Sequence, residues 1–118
     1  MEDNKPLVSV VVLTYNSSQY VIETLESIKA QTYNNLELII TDDCSEDSTV
    51  TLCRDWICVN NNRFVRAELI VSKVNTGIPA NCNRGCRAAR GEWFKEIAGD
   101  DILLEECMNP FLLYSKYG

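Results

Sequence analysis

The sequence predicts an α/β fold, Rossmann-like, with a mainly parallel β-sheet and helices on both faces. Short apolar, β-branched runs without polar alternation are typical of strands covered on both faces. These runs alternate along the chain with segments of helical periodicity, which indicates right-handed βαβ units and a parallel sheet. With 118 residues, the chain is expected to form one domain, spanning residues 1–118, with a core of its own.

The first strand and helix are predicted within residues 7–29. Residues 7–13 are nearly all apolar and β-branched, as expected of a buried strand. Asn16, with Gln19 three residues later, is a candidate N-cap box for the helix that follows. Apolar residues then recur at helical spacing, with charged residues between them: Val21, Ile22, Leu25 and Ile28.

The strand–helix unit then repeats. Residues 36–41 form a second predicted strand, and the turn after it contains Asp42 and Asp43. Ser45 is a candidate N-cap for the second helix, because the acidic residues after it suit the positive helix start. The asparagines at 60–62 are expected to end this helix.

The remaining elements follow in the same pattern. Strands are predicted at residues 67–71 and 93–98, on either side of a third helix over residues 79–90. Small side chains are expected to form the buried face of that helix, with Gly91 as its C′ residue: Cys82, Cys86 and Ala89. A last helix is predicted from Leu103, with a restart at Asn109-Pro110.

Composition excludes several classes of partner. The net charge is −6, from 17 acidic and 11 basic side chains, so the protein repels nucleic-acid phosphates. No apolar run reaches the length of a membrane helix, and the first residues lack a signal-peptide stretch. We expect a cytoplasmic location, with peripheral attachment to the inner membrane face left open. The six cysteines are then reduced thiols, and Cys82 and Cys86 are interpreted as small buried side chains.

Polar residues follow each predicted strand, and two of these segments are acidic pairs. The segments are Thr14-Tyr15-Asn16, Asp42-Asp43, Asn75-Thr76-Gly77 and Asp100-Asp101. Ligands of parallel sheets lie beyond the carboxyl ends of the strands, so the four carboxylates are expected to converge there. Because they repel one another, we expect a divalent cation, Mg²⁺ or Mn²⁺, and a phosphate-bearing ligand. Alternatively, the acidic pairs are solvated turns and Tyr15 is an ordinary packing aromatic.

Six motifs in a fixed order resemble the family 2 glycosyltransferases of the GT-A fold, particularly bacterial enzymes that build surface polysaccharides. The resemblance covers roughly residues 6–103. The motifs are Val8-Ser-Val-Val-Val-Leu-Thr-Tyr-Asn16, Leu38-Ile-Ile-Thr-Asp-Asp-Cys-Ser-Glu-Asp-Ser-Thr49, Asn75-Thr-Gly, Asn83-Arg-Gly85, Ala89-Arg-Gly-Glu92 and Gly99-Asp-Asp101.

The resemblance implies a donor site for a nucleotide-diphosphate sugar, favouring a UDP-sugar. Transfer to a saccharide or lipid-linked acceptor would proceed with inversion. The residues implied to bind the nucleotide are Thr14, Tyr15, Asp43, Asn75 and Asp100, and those implied to bind the metal are Asp100 and Asp101. The oligomeric state is left open.

Two departures from the family pattern affect this assignment. Ala98 stands at the first acidic position of the family's D-x-D-D segment, which leaves open whether Asp100 or Asp101 binds the metal. Asn81 and Cys82 occupy places where many members carry an arginine that contacts phosphate, so neutralisation of the phosphates would depend more heavily on the metal.

The resemblance places the general base of transfer beyond residue 118. We therefore expect a truncated chain that lacks the acceptor-binding part, binds nucleotide and transfers little sugar by itself. A nucleotide-binding module without turnover remains an alternative. A receiver-type signalling domain would need an acidic pair after the first strand, and a dinucleotide oxidoreductase would need G-x-G-x-x-G there; the chain has neither.

Overall fold

The structure, a computed structural model, describes residues 5–100 and the backbone of residues 114–115. The predicted helix from Leu103 and its restart at Asn109-Pro110 lie outside the described residues. The elements are β1 (Val8–Thr14), α1 (Val21–Lys29), β2 (Leu36–Asp42), α2 (Thr49–Asn60), a 3-10 helix (Asn61–Arg63), β3 (Arg66–Val71), α3 (Ile78–Ala88), β4 (Trp93–Ala98) and β5 (Tyr114–Ser115).

The strands form one sheet in the order β3-β2-β1-β4-β5. β1 pairs in parallel with β2 on one side and β4 on the other, so that Val8 lies opposite both Leu36 and Trp93. β3 continues the parallel arrangement, and only β5, at the edge beside β4, is antiparallel among the described strands. The predicted mainly parallel sheet is confirmed, and its strand order reverses between β1 and β4.

Both faces of the sheet carry helices, which explains why the strands lack polar alternation. On one face, Val10 and Val12 pack in the larger core with residues of α1 and α2, including Leu25 and Trp56. On the other face, Val11 packs against the end of α3 in a smaller cluster. Among the described residues, no helix is long and apolar enough to cross a membrane.

Helix α3 lies close against the sheet, but its buried side is rotated by one residue from the predicted one. The prediction of Cys82 and Cys86 as buried residues is wrong: both are half-buried, and the buried residues are Asn81 and Gly85. The physical reason is Gly85, because only a residue without a Cβ lets the helix backbone rest directly on the strands.

Two close contacts identify Gly85 as a packing glycine. A Cβ at this position would lie 2.5 Å from Val11 Cγ1 and 2.9 Å from Thr41 Cγ2. Asn81, one turn earlier, fixes the same face of the helix: its Nδ2 donates to Thr41 O at 3.0 Å, and its Oδ1 accepts from Thr41 Oγ1 at 2.7 Å. Helix α3 is therefore held on the sheet by a glycine contact and a buried amide.

Gly91 was predicted as the C′ residue of α3, and this is wrong. The helix ends at Ala88, and Ala89 is already extended. A Cβ at Gly91 would lie 2.5 Å from Ser9 Oγ and 2.7 Å from Leu7 O. Gly91 is therefore required where the chain passes close to the start of β1.

The predicted starts of α1 and α2 are also wrong, because their expected capping residues bind other partners. α1 begins at Val21, and Asn16 instead adopts a positive φ of 50° and accepts a 2.8 Å hydrogen bond from Glu46 N. α2 begins at Thr49, whereas the Ser45 hydroxyl donates to the Asp42 carboxylate at 2.6 Å. These two contacts connect the loops after β1 and β2.

Candidate functional site

A cavity of about 630 Å³ lies at the carboxyl ends of β1 and β4, where the strand order reverses. This is the position at which open parallel sheets bind ligands, and the volume is within the range of small-molecule sites. Four of the predicted site residues line it: Thr14, Tyr15, Asp43 and Asp100. Asn75 is exposed and is not part of the lining among the residues described, and Asp101 lies outside the described residues.

Three exposed apolar or aromatic side chains surround the cavity. Tyr15 and Tyr20 are 47% and 48% exposed, and Ile78 is 76% exposed; all three line the cavity. The alternative that Tyr15 is an ordinary packing aromatic is wrong, since nearly half of the residue is open to solvent. Aromatic faces in this position are suited to stacking on a flat heterocycle.

Thr14 and Asp42 form a buried pair beneath the cavity. Thr14 is 1% exposed, and its hydroxyl donates to Asp42 Oδ1 at 2.6 Å. Asp42 also accepts from the Ser45 backbone N–H at 2.8 Å and from the Ser45 hydroxyl. Asp42 is wholly buried, accepts three hydrogen bonds from protein donors and does not line the cavity, so the expectation that it joins a cluster needing a cation is wrong.

Asp43 is held by the loop that follows β3. Its Oδ1 accepts from Thr76 N at 2.9 Å and from Thr76 Oγ1 at 2.6 Å, and its Oδ2 accepts from Gly77 N at 2.8 Å. Burial alone would raise the pKa of Asp43, but these hydrogen bonds and the nearby Arg84 charge lower it overall. The carboxylate is thus kept ionised, and of its roughly four acceptor positions the protein occupies three.

Arg84 supports this loop, although no role is predicted for it beyond its place in the Asn83-Arg-Gly85 motif. Its guanidinium donates to Thr76 Oγ1 at 2.7 Å and to Asn81 Oδ1 at 3.0 Å, and it lies 3.9 Å from Asp43 Oδ1. Arg84 therefore positions Thr76 and Asp43 and partly neutralises the carboxylate. The sequence feature that could have pointed to Arg84 is the motif itself, which places an arginine one residue before the packing glycine.

The end of β4 is fixed against the loop after β1, which positions Asp100. The Gly99 N–H donates to Leu13 O at 2.8 Å, and Gly99 O accepts from the Thr24 hydroxyl at 3.0 Å. A Cβ on Gly99 would come within 2.9 Å of Ser17 Oγ. Asp100 follows, exposed at the cavity. An open carboxylate of this kind suits Mg²⁺ or Mn²⁺, which combine one or two protein carboxylates with oxygens of the ligand.

Asp47 connects the loop before α2 to the loop after β1 through hydrogen bonds. Its Oδ1 accepts from Thr49 N at 3.0 Å and from Thr49 Oγ1 at 2.5 Å, and its Oδ2 accepts from Ser18 N at 3.2 Å. Burial would raise the pKa of Asp47, but the hydrogen bonds from Thr49 and Ser18 lower it to about 2. The ionised carboxylate therefore stabilises the folded loops.

Asp47→Ala is expected to make the stability of the protein less dependent on acid pH. The folded-state pKa of Asp47 is about 2, below its ordinary value of 3.8. The stability that the ionised carboxylate contributes is therefore present above pH 3.8 and is lost as the pH falls towards 2. Urea unfolding measures the difference in unfolding free energy between wild type and Asp47→Ala. This difference should be largest above pH 4 and should become smaller as the pH approaches 2.

Glu46→Ala, at the exposed neighbouring position, is the matched control and should keep the wild-type pH dependence. A difference between wild type and Asp47→Ala that stays constant over the same pH range would contradict the role assigned to Asp47.

Comparison with known proteins agrees with this geometry. The model of the family described as glycosyl transferase family 2 matches residues 9–116. The chain is 39% identical over 99 residues to glycosyltransferase GlyG of Streptococcus pneumoniae, covering 84% of this chain and 32% of GlyG. The chain thus spans about a third of the length of that relative.

Two solved structures resemble the fold. S. aureus TarS, solved in complex with UDP-GlcNAc, has a TM-score of 0.70 and 29% identity, covering 81% of this chain and 27% of the TarS chain. The mannosyltransferase PcManGT of Pyrobaculum calidifontis, solved with GDP-Man and Mn²⁺, has a TM-score of 0.77 and 28% identity, covering 83% and 28% of the two chains. With a parallel sheet, a cavity at its switch point and the family match over most of its length, this chain belongs to glycosyl transferase family 2 and has the GT-A fold.

Proposed function

We propose that the cavity between β1 and β4 binds a nucleotide-diphosphate sugar together with Mn²⁺ or Mg²⁺, as the donor site of an inverting glycosyltransferase of polysaccharide biosynthesis. The observation that carries the proposal is that Asp43 and Asp100, far apart along the chain, line one cavity. The two carboxylates differ in chemistry: Asp43 is held by protein donors, whereas Asp100 is exposed. Asp43 therefore suits the hydrogen-bonding edge of a nucleobase, and Asp100 suits a cation.

The base would lie against Tyr15 and Asp43. The acceptor position that the loop leaves free on Asp43 can take one hydrogen bond from a ring N–H of the base. Uracil and guanine carry such an N–H, whereas the corresponding ring nitrogen of cytosine is an acceptor, so we expect UDP or GDP to be preferred over CDP. The two solved relatives described above hold a uridine and a guanosine donor.

The diphosphate would lie towards Asp100 and Asp101, which we propose as the metal-binding residues. A bound divalent cation would offset the charge that develops on the departing diphosphate. Asn81 cannot replace a phosphate-binding arginine, because its amide is buried and bonded to Thr41, and Cys82 carries no positive charge. The described residues therefore give the diphosphate little positive charge of their own, and we expect its binding to depend strongly on the cation.

Transfer itself would join an acceptor hydroxyl to the anomeric carbon, with inversion, while a general base takes the hydroxyl proton. We propose that this base and the acceptor site lie outside the described residues. A nucleotide-binding module without turnover is the second candidate. Release of UDP from UDP-GlcNAc, measured with the acceptor-binding part of the family fold present, would distinguish the transferase from it.

Calorimetry with UDP, GDP and CDP, each with and without Mn²⁺, tests the proposal. UDP or GDP should bind in the presence of Mn²⁺ and more weakly by at least about tenfold without it, since losing an interaction of about 1.5–3 kcal/mol with a charged group lowers the affinity by more than that factor. CDP should bind least well. If none of the three nucleotides binds, or if Mn²⁺ has no effect on any of them, the proposed donor site is wrong.

A further inference from the structure

Two cysteines and a glutamate converge beside the donor cavity, and the proposed function uses none of them. Cys82 and Cys86 lie one turn apart on α3, and Glu96 lies on β4. One ligand atom from each residue lies within 4.8 Å of the other two. We refer to these three residues as the thiol cluster. Cys82 and Glu96 also line the wall of the cavity.

The spacing of the two sulfur atoms in the thiol cluster matches tetrahedral metal coordination. The sulfur atoms of Cys82 and Cys86 are 3.9 Å apart. With zinc–sulfur bonds of about 2.3 Å and tetrahedral angles, two sulfur ligands of one ion are separated by about 3.8 Å. The Cys82 thiol donates a hydrogen bond to the Glu96 carboxylate, which therefore already lies against the first sulfur. The spacing of the two sulfur atoms therefore suits a shared ion without movement of α3, while the Glu96 carboxylate would move away from the Cys82 sulfur to coordinate it.

The position of the cluster in the fold explains how the three side chains meet. Gly85 and Asn81 set the rotation of α3 on the sheet, and this rotation leaves Cys82 and Cys86 half-buried and directed to the β4 side. Two thiols and a carboxylate leave a fourth tetrahedral position open for water.

We propose that Cys82, Cys86 and Glu96 form a binding site for a thiophilic divalent cation of the Zn²⁺ class. On binding, the two thiols release their protons to solvent, both thiolates and the Glu96 carboxylate coordinate the ion, and a water completes the tetrahedron. Sulfur ligands select Zn²⁺ over Mg²⁺ and Mn²⁺, which prefer oxygen. The site is therefore chemically separate from the oxygen ligands at Asp100, and the proposal does not depend on nucleotide binding.

Titration with Co²⁺ under reducing conditions, free of chelators, tests this site. The wild-type protein should develop the thiolate-to-cobalt charge-transfer absorption of a tetrahedral complex, saturating at one Co²⁺ per chain. Zn²⁺ should abolish the absorption by displacing Co²⁺, because thiolate sites bind Zn²⁺ more tightly, whereas Mn²⁺ should not.

Variants locate the ion. Cys82→Ser and Cys86→Ser should each lose the charge-transfer absorption, and Glu96→Gln should weaken Co²⁺ binding by at least about tenfold, since even residues that only support a metal ligand have effects of that size. Cys58→Ser, at an exposed cysteine on α2, is the matched control and should behave as wild type. Glu96 is exposed, so Glu96→Gln tests the site without disturbing the fold. No absorption in wild type, or unchanged absorption in both Cys82→Ser and Cys86→Ser, would overturn the proposal.

Discussion

Asp43→Ala is expected to weaken UDP binding in the presence of Mn²⁺ by about 10- to 100-fold, because a hydrogen bond to a charged group contributes about 1.5–3 kcal/mol. The residue is 4% exposed and lines the cavity, with its carboxylate ionised and aimed by Thr76 and Gly77. Alanine removes the acceptor for the base N–H and also releases the loop that holds it. Isothermal calorimetry at constant Mn²⁺ measures the change.

Two controls separate contact with the base from support of the loop. Thr76→Ala removes only one donor to Asp43, so it should lower the affinities for UDP and CDP alike and keep the preference for UDP. Asp43→Ala should lose that preference as well. Asp55→Ala, at an exposed position on α2, should bind as wild type. Unchanged UDP affinity in correctly folded Asp43→Ala would remove Asp43 from the site.

Gly85→Ala is expected to lower the free energy of unfolding by about 1–3 kcal/mol, the usual effect of overpacking a core. The added methyl would lie 2.5 Å from Val11 Cγ1 and 2.9 Å from Thr41 Cγ2, so α3 must lift from the sheet. Helix propensity acts in the opposite direction, since alanine is favoured over glycine by about 1 kcal/mol in a helix. A net loss therefore reports the steric contact, and urea unfolding measures it.

The double variant Gly85→Ala with Val11→Ala identifies the source of the loss. Val11→Ala removes the nearest methyl, so the two changes together should destabilise the protein less than the sum of the single variants. Arg87→Ala, on the exposed side of the same helix, should change stability little. Additive effects of the two core changes would show that Val11 is not the group that excludes a side chain at position 85.

The strands and the location of the site could be predicted because each depends on local patterns and on topology. Apolar runs such as residues 7–13 identify a strand buried on both faces, and parallel pairing then brings the residues after β1, β2 and β4 to one edge. Asp43 and Asp100 were placed together in this way, and both line the cavity. The sequence pattern therefore predicts which residues meet, without atomic detail.

The helix starts and the two roles of the acidic pair could not be predicted, because they depend on contacts between separate loops. Asn16 suits an N-cap by residue type, yet its amide is used by Glu46, thirty positions away. Asp42 and Asp43 are adjacent and chemically identical, but Asp42, the last residue of β2, bonds to Ser45, whereas Asp43, in the loop after it, bonds to Thr76. Propensity does not distinguish such neighbours, because the strand alternation and the partner loops determine their environments.

The position of Gly85 and the formation of the thiol cluster could not be predicted from the sequence for the same reason. Both pairs, Cys82 with Cys86 and Asn81 with Gly85, are spaced four residues apart, so helical spacing alone does not show which pair is buried. The close approach to Val11 and Thr41 decides between the two sets. Once the rotation of α3 is known, the proximity of Glu96 follows from the register of β4 against β1, which the sequence does not specify.

The central position of β1 has a consequence during synthesis on the ribosome. β1, β2 and β3 emerge in order and can pair, but the second neighbour of β1 is β4, which leaves the ribosome much later. Until then, β1 is an apolar edge strand with unpaired backbone groups, which favours pairing with another nascent chain. Premature termination between β3 and β4 would yield a product that lacks the β4 wall of the cavity and is prone to aggregate.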